Sequence, residues 1–319
     1  MLGCSSMQRL SDRQHTVYSQ HGEEGVVEAI LGIIDSVEAP QPLRWCVEFG
    51  AGRNNNNTRL FIERGFRAVL IEANPVFYTD LANSYAGNSA VTCLERIVSW
   101  QGDNALDRIL SETPVPAKFD FLVVDVDGND AHIFSALENY RPKLVMIEFN
   151  ASFPANVSFV QPRSESVRWG SSLKGVTDVA KSKGYELVAV LKGNAFFVDA
   201  RYFDAFAIKD NAPHALSDDT SQRTWSQFYD GTIVLHAEKP SDVLAFKHKA
   251  ERSPVYVMAN NELVALDVRR ESSFVRYMKN AFKRTPLFPL FYGFISGYYG
   301  GKWKATREKL DARARGKLS

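Results

Sequence analysis

Two periods alternate along the first 200 residues, one helical and one of strand length. Val26, Val27, Ala29, Ile30, Ile33, Ile34 and Val37 recur at helical spacing. They predict an amphipathic helix from Glu24 to Val37, stopped by Pro40 and Pro42. Short apolar runs then predict strands at Trp45–Phe49, Ala68–Ile71, Ala90–Val98, Phe119–Val126, Leu144–Phe149, Glu186–Leu191 and Ala195–Val198. Between them, helical patterns cover Asn57–Arg64, Phe77–Ala86, Asn104–Ser111, Ala131–Asn139 and Leu173–Lys183. Runs such as Phe121-Leu-Val-Val124 have no polar face, which suits strands covered by helices on both sides. Strands and helices in alternation predict an α/β, doubly wound sheet.

Beyond about Tyr202 the alternation fails, which divides the chain into a domain over 1–205 and an extension over 206–319. Asp210–Arg223 is polar and reads as a linker; Ile233–Leu235, Val255–Met258 and Leu263–Asp267 read as three short strands, and Ser272–Lys283 as a helix. With 45% apolar and 24% charged residues over 319 positions, the chain is of ordinary globular composition, neither disordered nor polytopic. A formal charge of +1 argues against a dedicated nucleic-acid binder. That average hides a split: residues 270–319 hold 12 Lys+Arg against 3 Asp+Glu, a net of +9, which leaves −8 on residues 1–269. Cys4, Cys46 and Cys93 form no pair with metal-site or disulfide-framework spacing. The start, Met1–His15, is polar, so no secretory leader and a cytoplasmic location are expected.

Chemistry concentrates at strand ends. In Trp45-Cys-Val-Glu-Phe-Gly-Ala-Gly52 an acid precedes a turn with Gly50 and Gly52, where glycines let the backbone approach a ligand at the carboxyl edge of a doubly wound sheet. Asn55 stands at the third position of a dinucleotide fingerprint, which weakens a nicotinamide reading. Glu72 ends the second strand, where a carboxylate can accept both hydroxyls of a ribose. The fourth and fifth strands end in Asp125, Asp127, Asp130 and His132, and in Glu148 and Asn150.

The order of Tyr18-Ser-Gln-His-Gly-Glu23, Val47-Glu-Phe-Gly-Ala-Gly52, Leu70-Ile-Glu-Ala-Asn-Pro75, Phe119-Asp-Phe-Leu-Val-Val-Asp-Val-Asp-Gly-Asn-Asp130 and Ile147-Glu-Phe-Asn150 resembles class I S-adenosylmethionine-dependent methyltransferases of the FkbM type. The resemblance covers about Val17 to Phe203 and implies a seven-stranded, Rossmann-like sheet with its last strand antiparallel. It implies S-adenosylmethionine as cofactor, with Glu48, Gly50, Ala51 and Gly52 at the methionine moiety, Glu72 and Ala73 at the ribose, and Val98 and Ser99, beside Ile97, at the adenine. Gln20 closes over the cofactor from the N-terminal segment with Tyr18 and His21, or these residues only cap the first helix. The usual third glycine of the loop is Asn54 here, a residue able to adopt left-handed geometry, so an altered loop is expected.

Asp125, Asp127, Glu148 and Asn150 form a candidate oxygen-ligand set for Mg²⁺ or another divalent cation. On that reading a metal-bound acceptor hydroxyl becomes more acidic and His132, Asp125 or Asp127 takes its proton. Alternatively Asp125 and Asp127 bind the methionine amino group or acceptor hydroxyls directly, and His132 caps a helix. Arg163, Arg168, Trp169, Ser171 and Ser172 suit a sugar, glycan or other polyhydroxylated acceptor, and the resemblance implies O-methylation.

Three other readings compete. A haloacid-dehalogenase-type phosphatase fits Phe121–Gly128 but leaves Gly50 and Glu72 unexplained. Asp125-Val-Asp127 also matches a glycosyltransferase metal motif, and a degenerate fold would be a binding protein without activity. The aromatic, basic segment 286–319 either contacts an anionic membrane peripherally or, as its prolines and glycines favour, packs on the core or on a second subunit of a homo-oligomer.

Overall fold

A computed structural model describes residues 9–54, 56–165 and 167–217, together with strand segments 225–227, 233–235, 255–259 and 262–265. The helix expected at Ser272–Lys283 and the segment 286–319 lie outside the described residues. The chain divides into two compact units, Met1–Asp219 and Thr220–Ser319.

In the first unit the strands are β1 (Trp45–Phe49), β2 (Arg67–Glu72), β3 (Val91–Glu95), β4 (Phe121–Val124), β5 (Leu144–Glu148), β6 (Tyr185–Leu191) and β7 (Asn194–Asp199). They form one sheet in the order β3-β2-β1-β4-β5-β7-β6. β1 to β5 pair in parallel, and β7 lies antiparallel between β5 and β6. The expected seven-stranded doubly wound sheet is therefore present. Its chain reverses direction of travel between β1 and β4, and such a switch point opens a crevice at the carboxyl ends of those strands.

The helices are α1 (Glu23–Val37), α2 (Arg59–Glu63), α3 (Pro75–Ser84), α4 (Leu106–Leu110), α5 (Asp130–Ala136), α6 (Leu173–Ser182) and α7 (Pro213–Leu216). Strand alternation sorts the core into two layers. Val47, Phe49, Leu122 and Val124 face α4, α5 and α6, whereas Cys46, Phe121, Val123 and Met146 face α1, α2 and α3. Each fully buried Ile, Leu or Phe contributes about 1.5 to 3 kcal/mol. The layers thus hold the strand tips as a rigid frame.

Several boundaries differ from the pattern. β3 ends at Glu95 and not Val98, because it is an edge strand whose continuation turns away: Ser99 N–H donates to the Asn104 carbonyl at 2.7 Å. α3 starts two residues early, since Asn74 caps it by accepting from Val76 and Phe77 N–H. α5 stops at Ala136, beyond which Glu138 and Asn139 N–H donate to the Asp107 carboxylate. Among the described residues the second unit shows four strands, β8 (Trp225–Gln227), β9 (Ile233–Leu235), β10 (Val255–Ala259) and β11 (Glu262–Ala265), one more than the three expected, in the order β11-β10-β9-β8.

Candidate active site

A cleft of about 430 Å³ opens at the carboxyl ends of β1 and β4. That size lies within the usual range for small-molecule sites. The sequence-derived residues Gln20, Glu48, Gly50, Ala51, Gly52, Asp125 and Glu148 all line it. Gly50 has φ +72°, and a Cβ there would stand 1.7 Å from the Asp125 carbonyl oxygen. Only glycine lets the β1–α2 turn press against the end of β4. Gly52 is also left-handed, at φ +60°. Asn54 is not: the described non-glycine residues with positive φ are Asp127, Lys192 and Ala207, so the left-handed geometry expected at Asn54 is corrected.

Acidity dominates the cleft. Glu48 is buried and accepts from Thr58 Oγ1 and, at 3.2 Å, from Asn57 Nδ2. Burial pushes its carboxyl up to about 7 against those hydrogen bonds, and the Asp125 charge adds to the rise. Asp125 is raised by burial and by Asp127 and Glu23, and Glu148 is raised further by burial and the Asp125, Asp130 and Asp127 charges. Asp125 and Glu148 interact side chain to side chain. Asp130 is buried too, raised to about 7 by burial, although it accepts from Val126 and Gly128 N–H at 2.8 Å each and so fixes the β4–α5 turn. The cleft's arginine, Arg53, is neutralised by Asp80 and lies 4.5 Å over the Phe77 ring.

One ligand oxygen from each of Asp125, Asp127 and Glu148 lies within 4.8 Å of the others. Asp127 is exposed at the rim with φ 57°. Asn150, the fourth expected ligand, is turned to other work: its Nδ2 donates to the Trp169 carbonyl at 2.6 Å and its Oδ1 accepts from Ser152.

Glu72 is buried behind the glycine turn and does not line the cleft; its Oε2 accepts from Gly52 N–H and its Oε1 from Asn74 N–H, both at 2.7 Å. A carboxylate has about four acceptor positions, so two remain for further donors. Ala73 is exposed beside it, Val98 packs on the core, and Ser99 forms an isolated bridge with Ala105; none of these three lines the cleft. His132 does not line it either. Its Nε2 meets the Gln161 carbonyl at 2.5 Å and its ring lies edge-on to Trp100. Ser171 and Ser172 are buried and structural: Ser171 Oγ accepts from Gln161 N–H, and Ser172 caps α6. Trp169 is 36% exposed on the same loop.

Sequence reasoning missed Glu23, Asn57, Phe77 and Asn194, which line the cleft from α1, the turn before α2, α3 and β7. The Asn54–Asn57 run and the Lys192-Gly-Asn194 turn were visible signals. It also missed Gln161, fully buried, whose Oε1 accepts from Trp169 and Gly170 N–H and whose Nε2 donates to the Val167 carbonyl. That side chain pins the loop after β5.

No protein-family model matches the chain, and no curated protein matches it. Among solved structures, it is similar to the CurJ carbon methyltransferase, at 10% identity and TM-score 0.37, over 57% of this chain and 56% of that one. It therefore spans little more than half of that chain's length. It is also similar to magnesium protoporphyrin IX methyltransferase from Synechocystis PCC 6803 with bound S-adenosylmethionine, at 9% identity and TM-score 0.33, over 55% of this chain and 78% of that one. A third is the N-terminal domain of EvdMO1 with S-adenosylhomocysteine bound, at 12% identity and TM-score 0.34, over 57% and 80% of the two chains. Among the described residues no helix is long and apolar enough to cross a membrane.

Proposed function

We propose that the chain is an S-adenosylmethionine-dependent methyltransferase that O-methylates a sugar, glycan or other polyhydroxylated acceptor. The observation that carries this reading is an acid-lined cleft at the switch point of the sheet, with the Gly50 turn pressed on Asp125 and with Glu72 at the tip of β2. Such a lining suits a ligand bearing positive charge on both a sulfonium and an ammonium. Glu48, Asp125 and the Gly50–Gly52 backbone would hold its methionine part, and the free acceptor positions of Glu72 its ribose hydroxyls. When bound, S-adenosylmethionine supplies an electrophilic methyl group on sulfur.

The chain's own contribution is placement and proton transfer. Aligning an acceptor oxygen against a fixed centre can supply about 7 to 11 kcal/mol in good cases. A carboxylate at the Asp125/Asp127 end takes the acceptor proton, a step worth about 10² to 10⁴ in rate. Asp125, Asp127 and Glu148 also fit a hard divalent cation such as Mg²⁺, which prefers carboxylate oxygens, and which supplies Lewis acidity when bound. The narrower FkbM-type assignment rests on the Asp125–Asp130 and Glu148–Asn150 blocks.

S-adenosylhomocysteine at about 100 times its Kd should stabilise the fold by about 2.7 kcal/mol, read as a rise in melting temperature. Gly50→Ala should abolish the rise, because its Cβ enters the Asp125 carbonyl. No shift in the wild type at millimolar ligand would sink the reading. Transfer of labelled methyl to a glycan panel, with and without Mg²⁺, then tests acceptor class and metal dependence.

A further inference from the structure

The cleft is rich in acids, yet the cofactor proposed for it carries a carboxylate as well as its cations. Some part of the site must offer that carboxylate uncommitted hydrogen-bond donors. Glu23, Glu48, Asp125 and Glu148 offer only acceptors when ionised, and Arg53 is paired with Asp80. Asn57 Nδ2 donates to Glu48 and Asn194 Nδ2 to Glu23. Asn54, Asn56, Gln20 and His21 also line the cleft, and among the described residues none of these four side chains has a hydrogen-bond partner.

Gln20 and His21 belong to one segment, a strap from His15 to Gly22 that precedes α1 and brings these two donors to the cleft. Three devices fix it. At its base, His15 N–H donates to the Gly22 carbonyl at 3.1 Å, and Gly22 at φ +88° leaves no room for a Cβ, which would lie 2.8 Å from His15 N. At its centre Glu24, fully buried, accepts from Tyr18 N–H at 2.6 Å, from Ser19 N–H at 2.7 Å and from Ser19 Oγ, while the same Ser19 Oγ accepts from Glu23 N–H at 3.1 Å. Burial alone would raise the Glu24 carboxyl, but these hydrogen bonds outweigh it and hold it below the ordinary value, so it stays an anion that folds the strap around itself. At its far side Glu23 accepts from Asn194 Nδ2 at 2.9 Å, a clip to the start of β7.

We propose that this strap is the carboxylate-binding half of the cofactor site, with Gln20 and His21 as the donors to the α-carboxylate and with Ser19, Glu24 and Asn194 as positioning residues. This role rests on the methyltransferase reading above. Ser19 is buried and does not line the cleft, so it acts on a ligand only through the strap.

The test compares two ligands. S-adenosylhomocysteine carries the amino-acid carboxylate, whereas 5′-methylthioadenosine has the adenosine and the sulfur but no amino acid. Full-length Ser19→Ala should bind S-adenosylhomocysteine about tenfold more weakly, the scale of one lost hydrogen bond, and keep its affinity for 5′-methylthioadenosine. Ser19→Thr, which retains the hydroxyl, should restore binding. Gln20→Ala should show the same ligand selectivity without loosening the strap. Hydrogen exchange of the ligand-free protein should accelerate at the Tyr18 and Ser19 amides in Ser19→Ala and in Glu24→Gln.

Faster exchange with unchanged S-adenosylhomocysteine affinity would overturn the role, as would equal losses for the two ligands. Unchanged exchange would overturn the Ser19–Glu24 lock. A wild-type protein that binds neither ligand would overturn the methyltransferase reading itself, and the donor assignment with it, whatever the exchange data show of the lock.

Discussion

The two ends of the sheet carry charge in opposite ways. At the amino ends of β1, β4 and β5, Asp120 accepts from Trp45 N–H and lies 3.4 Å from Arg44 Nε and 3.9 Å from Lys143 Nζ. Lys143 in turn pairs with Glu38 at 2.9 Å, and Arg44 with Asp35 at 2.8 Å. At the carboxyl ends Glu23, Glu48, Asp125 and Glu148 converge on one cleft whose arginine is already paired. The lower end is a structural ion network and the upper end is an unbalanced one. Crowded, buried carboxylates cost stability unless a cation or a proton joins them, and sites that tolerate such a cost are where ligands and chemistry are found.

Swapping a single aspartate at each end gives the largest expected contrast. Asp120→Ala leaves Lys143 with Glu38 alone and strands the buried Trp45 amide, and should lose about 1 to 3 kcal/mol in denaturant unfolding. Asp125→Asn removes one of several like charges, so its stability should equal or exceed that of the wild type. Its methyl transfer should fall by about 10² to 10⁴ if the carboxylate takes the acceptor proton. A destabilised Asp125→Asn with intact activity would erase the distinction between the two ends.

Titration separates the ends next. Glu48 and Asp130 have folded values raised by burial to about 7, above their unfolded ones. Their contribution to stability is therefore full below the unfolded value and lost as pH rises through about 7. For Glu48 a rise of this size corresponds to about 3 kcal/mol. Glu38 at the lower end moves the other way, held low by its hydrogen bond to Lys143, so its contribution is lost as pH falls through the acid range. Melting temperature should drop between pH 5 and pH 8, and Glu48→Gln should flatten that drop. A drop unchanged by Glu48→Gln would place the titration elsewhere.

These two ends were unequally legible in the sequence. Strand tips at the upper end could be read because buried strands are continuous apolar runs, and an acid or glycine at or just past the end of each stands out, as at Glu48, Glu72 and Asp125. The edge strand β3 lacked that contrast; its residues are half-buried or exposed, and the run Ala90–Val98 overshoots it. Cleft residues such as Phe77 and Asn194 lie on elements distant in the chain, and only the sheet order brings them together. At the lower end, Arg44, Asp120 and Lys143 look like ordinary charges flanking strands, and their pairing follows from the parallel register. Asn150 and His132 show the converse: residue types suited to catalysis that hydrogen-bond to the backbone of the loop after β5.

His132 supplies the smallest and most discriminating test. Its Nε2 is engaged by the Gln161 carbonyl, and Gln161 orders the loop that carries Trp169. His132→Phe keeps a ring against Trp100 and removes one hydrogen bond to a buried carbonyl, a change of about 1 kcal/mol in stability. Turnover should fall less than about tenfold, whereas loss of a general base costs about 10² to 10⁴. The acceptor KM should rise more than kcat falls, because a loosened loop weakens placement before it affects the proton transfer proposed for Asp125. A loss of 10² or more in kcat with an unchanged KM would make His132 the base after all, and the carboxylates of the upper end would then serve binding alone.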